Sequence, residues 1–137
     1  MIVLDASVAL KWIFGEEEGG EKARLYKEGH VTGKETVAVH SLFFYEIANV
    51  LATKTRLNIK DAAEAFSLIW NFDLEVFSLG LDEFLEGIIL SRQYGITFYD
   101  AAYIVLARKL GCPFVTSDRR LYKKVKELKG LRIGNGT

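Results

Sequence analysis

Ile2-Val3-Leu4-Asp5-Ala6-Ser7 decides the fold: an apolar run with no polar alternation, closed by a carboxylate and a small hydroxyl residue. Strands covered on both faces read as continuous apolar runs, whereas half-exposed strands alternate. A carboxylate ending such a strand needs partners, because a lone buried charge is very costly. Phe114-Val115-Thr116-Ser117-Asp118 repeats the arrangement near the other end of the chain. Two interior strands, each followed at its carboxyl end by an acid, predict an open parallel sheet with chemistry at that end.

Reading outward gives alternating elements. Val8 to Phe14 predicts a short helix, Glu16 to Gly20 a loop, and Glu21 to Glu28 a helix. Val37 to Val39 predicts a strand. Leu42 to Arg56 reads as a helix with Phe43, Ile47, Val50 and Leu51 on one stripe, and Lys60 to Asn71 as another. Leu74 to Phe77 reads as a strand, and Asp82 to Tyr94 as a helix stopped by Gly95. Phe98 to Leu110 is a helix closing at Gly111. Pro113 to Thr116 is a strand, Arg119 to Leu128 a basic helix, and Leu131 to Ile133 a last strand. Strands alternating with helices mean an α/β domain with a mainly parallel sheet. With one Pro and no repeat or linker, residues 1–137 are expected to form one domain.

Composition bounds the function. Half of the 137 residues are apolar and 26% are charged, far from the profile of a disordered chain. The longest stretch without Asp, Glu, Lys or Arg is the ten residues from Thr36 to Tyr45. A bilayer span needs roughly 18 or more, so no membrane association is expected. The single Cys, Cys112, excludes an internal disulfide framework and favours a reducing, cytoplasmic setting. Net charge is zero, but residues 1–118 carry −6 and residues 119–132 carry +6. The apolar surplus, with Trp12, Phe14, Trp70 and Phe72 as aromatics for the surface, predicts a homodimer. One Gln against 12 Glu and 11 Lys leans towards a heat-adapted protein.

Four acids occupy the places a site would use. Asp5 and Asp118 follow the two interior strands. Glu46 stands at the margin of its helix's buried stripe, with Asn49 on its polar side. Asp100 opens a helix that is apolar nearly all round, so its carboxylate lies close to the core. Each has a structural alternative: capping for Asp100 and Asp118, and surface pairing with Lys54 or Arg56 for Glu46. Converging carboxylates cannot all stay ionised without cations between them. An all-oxygen set suits Mg²⁺ or Mn²⁺, and paired ions are a recurring device for phosphodiester hydrolysis. Zinc would want His or Cys, and His30, His40 and Cys112 lack ligand spacing, so both His read as surface or structural residues.

In order and spacing, IVLDASVALKW, FFYEIANVL, TFYDAAYIVLA and FVTSDRRL resemble the acidic motifs of the PIN domain, most closely in the small VapC-type toxins of toxin–antitoxin pairs. The resemblance spans residues 2 to about 123. It implies a three-layer α/β/α fold around a central parallel sheet. It also implies a Mg²⁺- or Mn²⁺-dependent endoribonuclease whose metal-binding acids are Asp5, Glu46, Asp100 and Asp118. Ser7 and Thr116 match positions that hold or orient the acids, and Asn49 a supporting position. An RNA substrate and a small VapB-like antitoxin partner follow from the same likeness. The competing expectations are a housekeeping RNA-processing nuclease and a non-catalytic binding module of the same fold. No Walker or Gly-x-Gly-x-x-Gly sequence supports a nucleotide cofactor. The basic stretch after Asp118, with Arg119, Arg120, Lys123 and Lys124, is the expected contact for an RNA backbone, since an acidic cluster alone repels phosphate.

Overall fold

The alternation of buried side chains along the first strand sets up both halves of the molecule. In the computed structural model, which describes residues 1–15 and 20–136, the elements are β1 (Ile2–Leu4), α1 (Ala6–Ile13), α2 (Gly20–Val31), β2 (Val37–His40), α3 (Phe43–Thr53), α4 (Ile59–Trp70), β3 (Glu75–Phe77), α5 (Leu81–Tyr94), α6 (Phe98–Leu110), β4 (Phe114–Thr116), α7 (Arg119–Val125) and β5 (Ile133–Asn135). Ile2, Leu4, Val37, Val39 and Val115 face one side of the sheet, where α1 to α4 cover them through Val8, Ala23, Phe43, Ile47 and Ile69. Val3, Ala38 and Phe114 face the other side, against α5 to α7 through Leu90, Tyr103, Ile104 and Leu121. The fold is a three-layer α/β/α sandwich.

All strands are parallel, in the order β3-β2-β1-β4-β5. The chain winds from β1 outward through β2 to β3, then returns to the far side of β1 for β4. The order therefore reverses between β1 and β4, where a ligand crevice forms beyond the carboxyl ends. Asp5 follows β1 there, and Ser117 and Asp118 follow β4. The two strands are in register through Val3 with Phe114 and Leu4 with Val115, so the acids emerge side by side.

Helix ends are locally encoded. Asp5, Asn58, Thr97 and Asp118 cap α1, α4, α6 and α7 with their side chains, while Gly95 and Gly111 close α5 and α6 in the left-handed conformation at φ 63° and 64°. Gly87 lets α5 approach α6: a Cβ there would stand 2.7 Å from the Phe98 ring. Five elements differ by two residues or more from their sequence reading: α1 starts at Ala6 rather than Val8, directly after its Asp5 cap, and α2 runs on to Val31 rather than Glu28. The third helix ends at Thr53 rather than Arg56, leaving residues 54–58 as a non-helical connection whose Leu57 reaches the core. The basic helix stops at Val125. The last strand is shifted to Ile133–Asn135, because it pairs with the whole of β4 and brings Gly134 close against Val115. The loop expected over Glu16 to Gly20 falls outside the described residues up to 19, and Gly20 already begins α2.

The aromatic expectation needs correction. Trp12, Phe14 and Phe72 pack partly buried against the core, and Trp12 donates its Nε1–H to the Ala23 carbonyl at 2.8 Å. Of the four, Trp70 alone is exposed, at 60%. Among the described residues no helix is long and apolar enough to cross a membrane.

Candidate active site

Asp5 is buried, and three donors hold it. Its Oδ1 accepts from the Ser7 hydroxyl and, at 3.4 Å, from the Val8 N–H at the start of α1; its Oδ2 accepts from the Thr116 hydroxyl at 2.5 Å. Both hydroxyls are themselves fixed from β4: Ser117 N–H donates to Ser7 Oγ at 2.8 Å and Asp118 N–H to Thr116 Oγ1 at 3.1 Å. Ser7 and Thr116 thus belong to a hydrogen-bonded network that ties the end of β1 to the end of β4. Burial pushes the Asp5 carboxyl up to about 6, while the Ser7 and Thr116 hydroxyls pull it down and Asp100 adds a further rise.

Asp118 caps a helix, as its structural alternative expected. Its Oδ1 accepts from the Arg120 and Leu121 N–H groups at 3.0 Å each, capping α7. The carboxylate also borders the same cavity as Asp5.

Glu46 is held from the other elements. Its Oε1 accepts from the Tyr103 hydroxyl of α6 at 3.0 Å and lies 3.5 Å from His40 Nε2 at the end of β2. No surface pairing of Glu46 with Lys54 or Arg56 exists among the described residues. Burial raises Glu46 to about 7, with Tyr103 opposing and Asp5 and Asp100 reinforcing. Burial likewise lowers His40 to about 4, so the ring is neutral. Its Nδ1 accepts from the Leu42 N–H at 3.0 Å, which places the ring proton on Nε2, facing Glu46. The imidazole packs against the Tyr103 ring, tilted by 34° with centroids 3.7 Å apart. The Tyr103 phenol is driven well above its ordinary range, chiefly by burial, and stays a donor.

Asp100 sits in the first turn of α6 behind the Thr97 cap, and burial raises its carboxyl too. Asp5, Glu46, Asp100 and Asp118 all line one cavity of about 290 Å³, together with Ser7, Asn49 and Lys54. They surround this space without closing on a point: among the described residues no three acid, His or Cys side chains form a ready-made ion shell. Mg²⁺ keeps several of its waters and is usually held through one or two carboxylates, so an open cavity bordered by four carboxylates is the kind it fits.

The cavity shares lining residues with two neighbouring hollows. Ser7, Leu10, Val50 and Lys54 also line one of about 620 Å³ between α1 and the α3–α4 connection. Asp100 and Asp118 also line another of about 230 Å³, with Arg120 and Lys124. The four expected RNA contacts separate accordingly. Arg119 lines the larger hollow, Arg120 and Lys124 the smaller, and Lys123 lines neither.

Sequence reasoning missed Tyr103 and His40. Tyr103 lies one turn beyond Asp100, but on a helix apolar all round it reads as another core residue. His40 had no spacing to mark it. His30 is structural, bridging the Val37 N–H and the Asp73 carbonyl.

Residues 2–127 match the PIN domain. Over 128 residues the chain is 33% identical to a protein named Ribonuclease VapC3 from Pyrobaculum aerophilum, covering 90% of this chain and 93% of that one. A protein of the same organism named Exonuclease VapC9 is 34% identical over 94 residues, 68% of this chain and 70% of that one. Among solved structures, VapBC2 from Rickettsia felis, bound to a DNA fragment from its promoter, superposes with a TM-score of 0.70 at 15% identity, over 98% of both chains. At that identity the likeness is one of fold.

Proposed function

The chain belongs to the PIN domain family, and from that premise we propose that its single domain is a Mg²⁺- or Mn²⁺-dependent endoribonuclease acting as the toxin of a toxin–antitoxin pair. The observation that carries the reading is the meeting of four carboxylates from four separate segments around one cavity at the sheet's reversal point. Asp5, Glu46, Asp100 and Asp118 would hold the metal. Divalent ions bound there supply an acidified water and neutralise charge gathering on phosphate oxygens. The protein's own part is positional. Ser7 and Thr116 fix Asp5, the α7 backbone fixes Asp118, and Tyr103 fixes one oxygen of Glu46, leaving its other oxygen for the cavity. Attack of a water oxygen on phosphorus with breakage of the P–O3′ bond leaves a 5′-phosphate and a 3′-hydroxyl.

One relative bears the name ribonuclease and another exonuclease. The two hollows that share residues with the acid cavity favour internal cutting, since a strand passes through such a site instead of ending in it. The antitoxin partner rests on fold neighbours described as VapBC assemblies and as a toxin–antitoxin complex. A homodimer in the cytoplasm completes the proposal. Leu81, Leu85, Ile88 and Ile89, exposed at helical spacing along α5, offer a second copy an apolar face.

The test is cleavage of single-stranded RNA with Mg²⁺ or Mn²⁺, followed by analysis of the new ends. Asp5→Asn should abolish cleavage while folding survives. Cleavage undiminished in Asp5→Asn, or by wild type in excess chelator, would overturn the assignment. RNA cutting without any partner gene for a small antitoxin beside it would favour the processing role.

A further inference from the structure

We propose that the large hollow between α1 and the α3–α4 connection binds single-stranded RNA on one side of the cleaved phosphate, with Lys54, Arg56, Lys11 and Arg119 on the backbone and Phe14 beneath a base. The proposal rests on the ribonuclease reading and adds the substrate's path and form. Three observations carry it.

The first is shared lining. Ser7, Leu10, Val50 and Lys54 line both the acid cavity and this hollow, so a chain leaving the acids on that side enters it directly. The second is charge. The acid cavity is ringed by carboxylates, yet among the described residues the hollow is lined by four cations and no acid. They arrive from three places in the sequence, Lys11 on α1, Lys54 and Arg56 after α3, and Arg119 after β4. Lys54 and Arg56 are exposed and form no ion pair among the described residues. The early end of α3 puts both residues in a non-helical connection, whereas a continued helix would turn them to nearly opposite faces.

The third is the floor. Leu10, Phe14 and Val50 give the hollow an apolar and aromatic base beneath its charged rim. Sequence-tolerant capture of single strands combines a cationic track with aromatic faces for stacking. A paired base presents no free face to Phe14, so duplex RNA is excluded. The smaller hollow is the weaker grip: it offers two cations, and Lys124 already donates to the Gly95 carbonyl at 2.8 Å. At about 620 Å³ the larger space is within the range of pockets that enclose small organic ligands, so it suits one or two nucleotides.

The experiment measures binding of a fluorescent single-stranded 12-mer RNA against salt, in the Asp5→Asn background, beside a cleavage assay of wild type on the same RNA. Each of Lys54→Ala and Arg56→Ala should lower the slope of log affinity against log salt by about 0.7, the increment for one phosphate contact on a single strand. Phe14→Leu should weaken binding about tenfold at unchanged slope. Lys34→Ala, before β2 at the opposite end of the sheet, should change nothing. Unchanged slopes in both cation variants, with wild type cleaving, would overturn this path and leave the ribonuclease standing. Reduced slopes without wild-type cleavage would keep the hollow as an RNA site and remove the enzyme. Equal affinity for a duplex of the same sequence would overturn the single-strand assignment.

Discussion

Asp5 and Glu46 face one cavity but are held in opposite ways. Asp5 stands at the end of a strand, buried, and its donors come from the residues around it and from the neighbouring strand end. Glu46 stands on a helix, about a third exposed, and its donor, Tyr103, reaches it from a helix of the opposite layer. One half of the site is thus built into the sheet, so disturbing it disturbs the fold. The other half is assembled by side chains reaching across layers, and disturbing it moves a carboxylate while the core stays packed.

The largest effect should fall on catalysis in the strand-end half. Asp118→Asn should reduce cleavage by about 10²–10³-fold, the scale of losing one preorganised electrostatic group. Asn caps a helix as well as Asp does, so α7 should survive. Asp118→Ala should lose the same activity and, in addition, about 1 kcal/mol of stability with the cap. Equal melting of the two variants would show that the Asp118 cap contributes nothing to the fold.

A second pair of variants separates the halves directly. Tyr103→Phe removes the hydroxyl from Glu46 and leaves the ring packed on His40, so metal affinity should fall about 10–100-fold while melting stays close to wild type. Thr116→Val removes a buried hydroxyl that serves both Asp5 and the Asp118 N–H. It should cost about 1–3 kcal/mol of stability, the range for orphaned buried groups. If Tyr103→Phe unfolds the protein while Thr116→Val does not, the contrast between the halves is reversed.

Stability against pH gives a third test, with opposing contributions. Asp5, raised to about 6, and Glu46, raised to about 7, hold protons in the folded state that the unfolded chain has released. Each contributes stability that is present below its unfolded value and lost as pH rises through the folded one. His40, lowered to about 4, acts the other way, its contribution being lost as pH falls from the usual 6.5 towards 4. Between about pH 5 and 7 two acids outweigh one His, so the metal-free protein should melt about 4 °C or more higher at pH 5.5 than at pH 8. Millimolar Mg²⁺ should raise the melting temperature more at pH 8, where the carboxylates are ionised, and so narrow the gap. A metal-free protein that melts higher at pH 8 would contradict the burial of both acids.

The same contrast explains what was legible in the sequence. Ile2-Val3-Leu4-Asp5 and Phe114-Val115-Thr116-Ser117-Asp118 encode their positions locally, because a parallel strand and the acid at its end share one short run. The fold class, the sheet and two of the acids' places could be read from those runs. Glu46 and Asp100 stand out by their helical positions, at the margin of a buried stripe and in the first turn of a buried helix, but their surroundings were hidden, since Tyr103 and His40 meet Glu46 only after the sheet and α6 are packed. The groove cations were hidden for a related reason. Nothing local in Leu51 to Arg56 announces that the helix stops at Thr53, as Leu57 entering the core and Asn58 capping α4 are demands of the next element. The strand Ile133–Asn135 was displaced by two residues because Gly and Asn are poor strand formers and only pairing with β4 recruits them.

The smallest expected effect is the sharpest discriminator, because its sign should differ between the two acids. Glu46→Gln keeps an acceptor for Tyr103 and removes a charge that burial disfavours. Without metal at pH 8 it should raise stability, by no more than about 1 kcal/mol, since the side chain is about a third exposed and partly screened. Asp5→Asn also removes a disfavoured charge, but it replaces one acceptor oxygen with an amide donor among groups that already donate. Ser7 Oγ and Thr116 Oγ1 each accept a backbone N–H from the β4 end, so turning their hydroxyls to accept from Asn disturbs the tie between β1 and β4. That loss offsets the electrostatic gain, and Asp5→Asn should melt at or below wild type. Metal-free melting curves of the two variants at pH 8 decide the matter. A rise in both would reduce the strand-end network to plain charge burial, and a fall in both would mean that Glu46 is as much a part of the scaffold as Asp5.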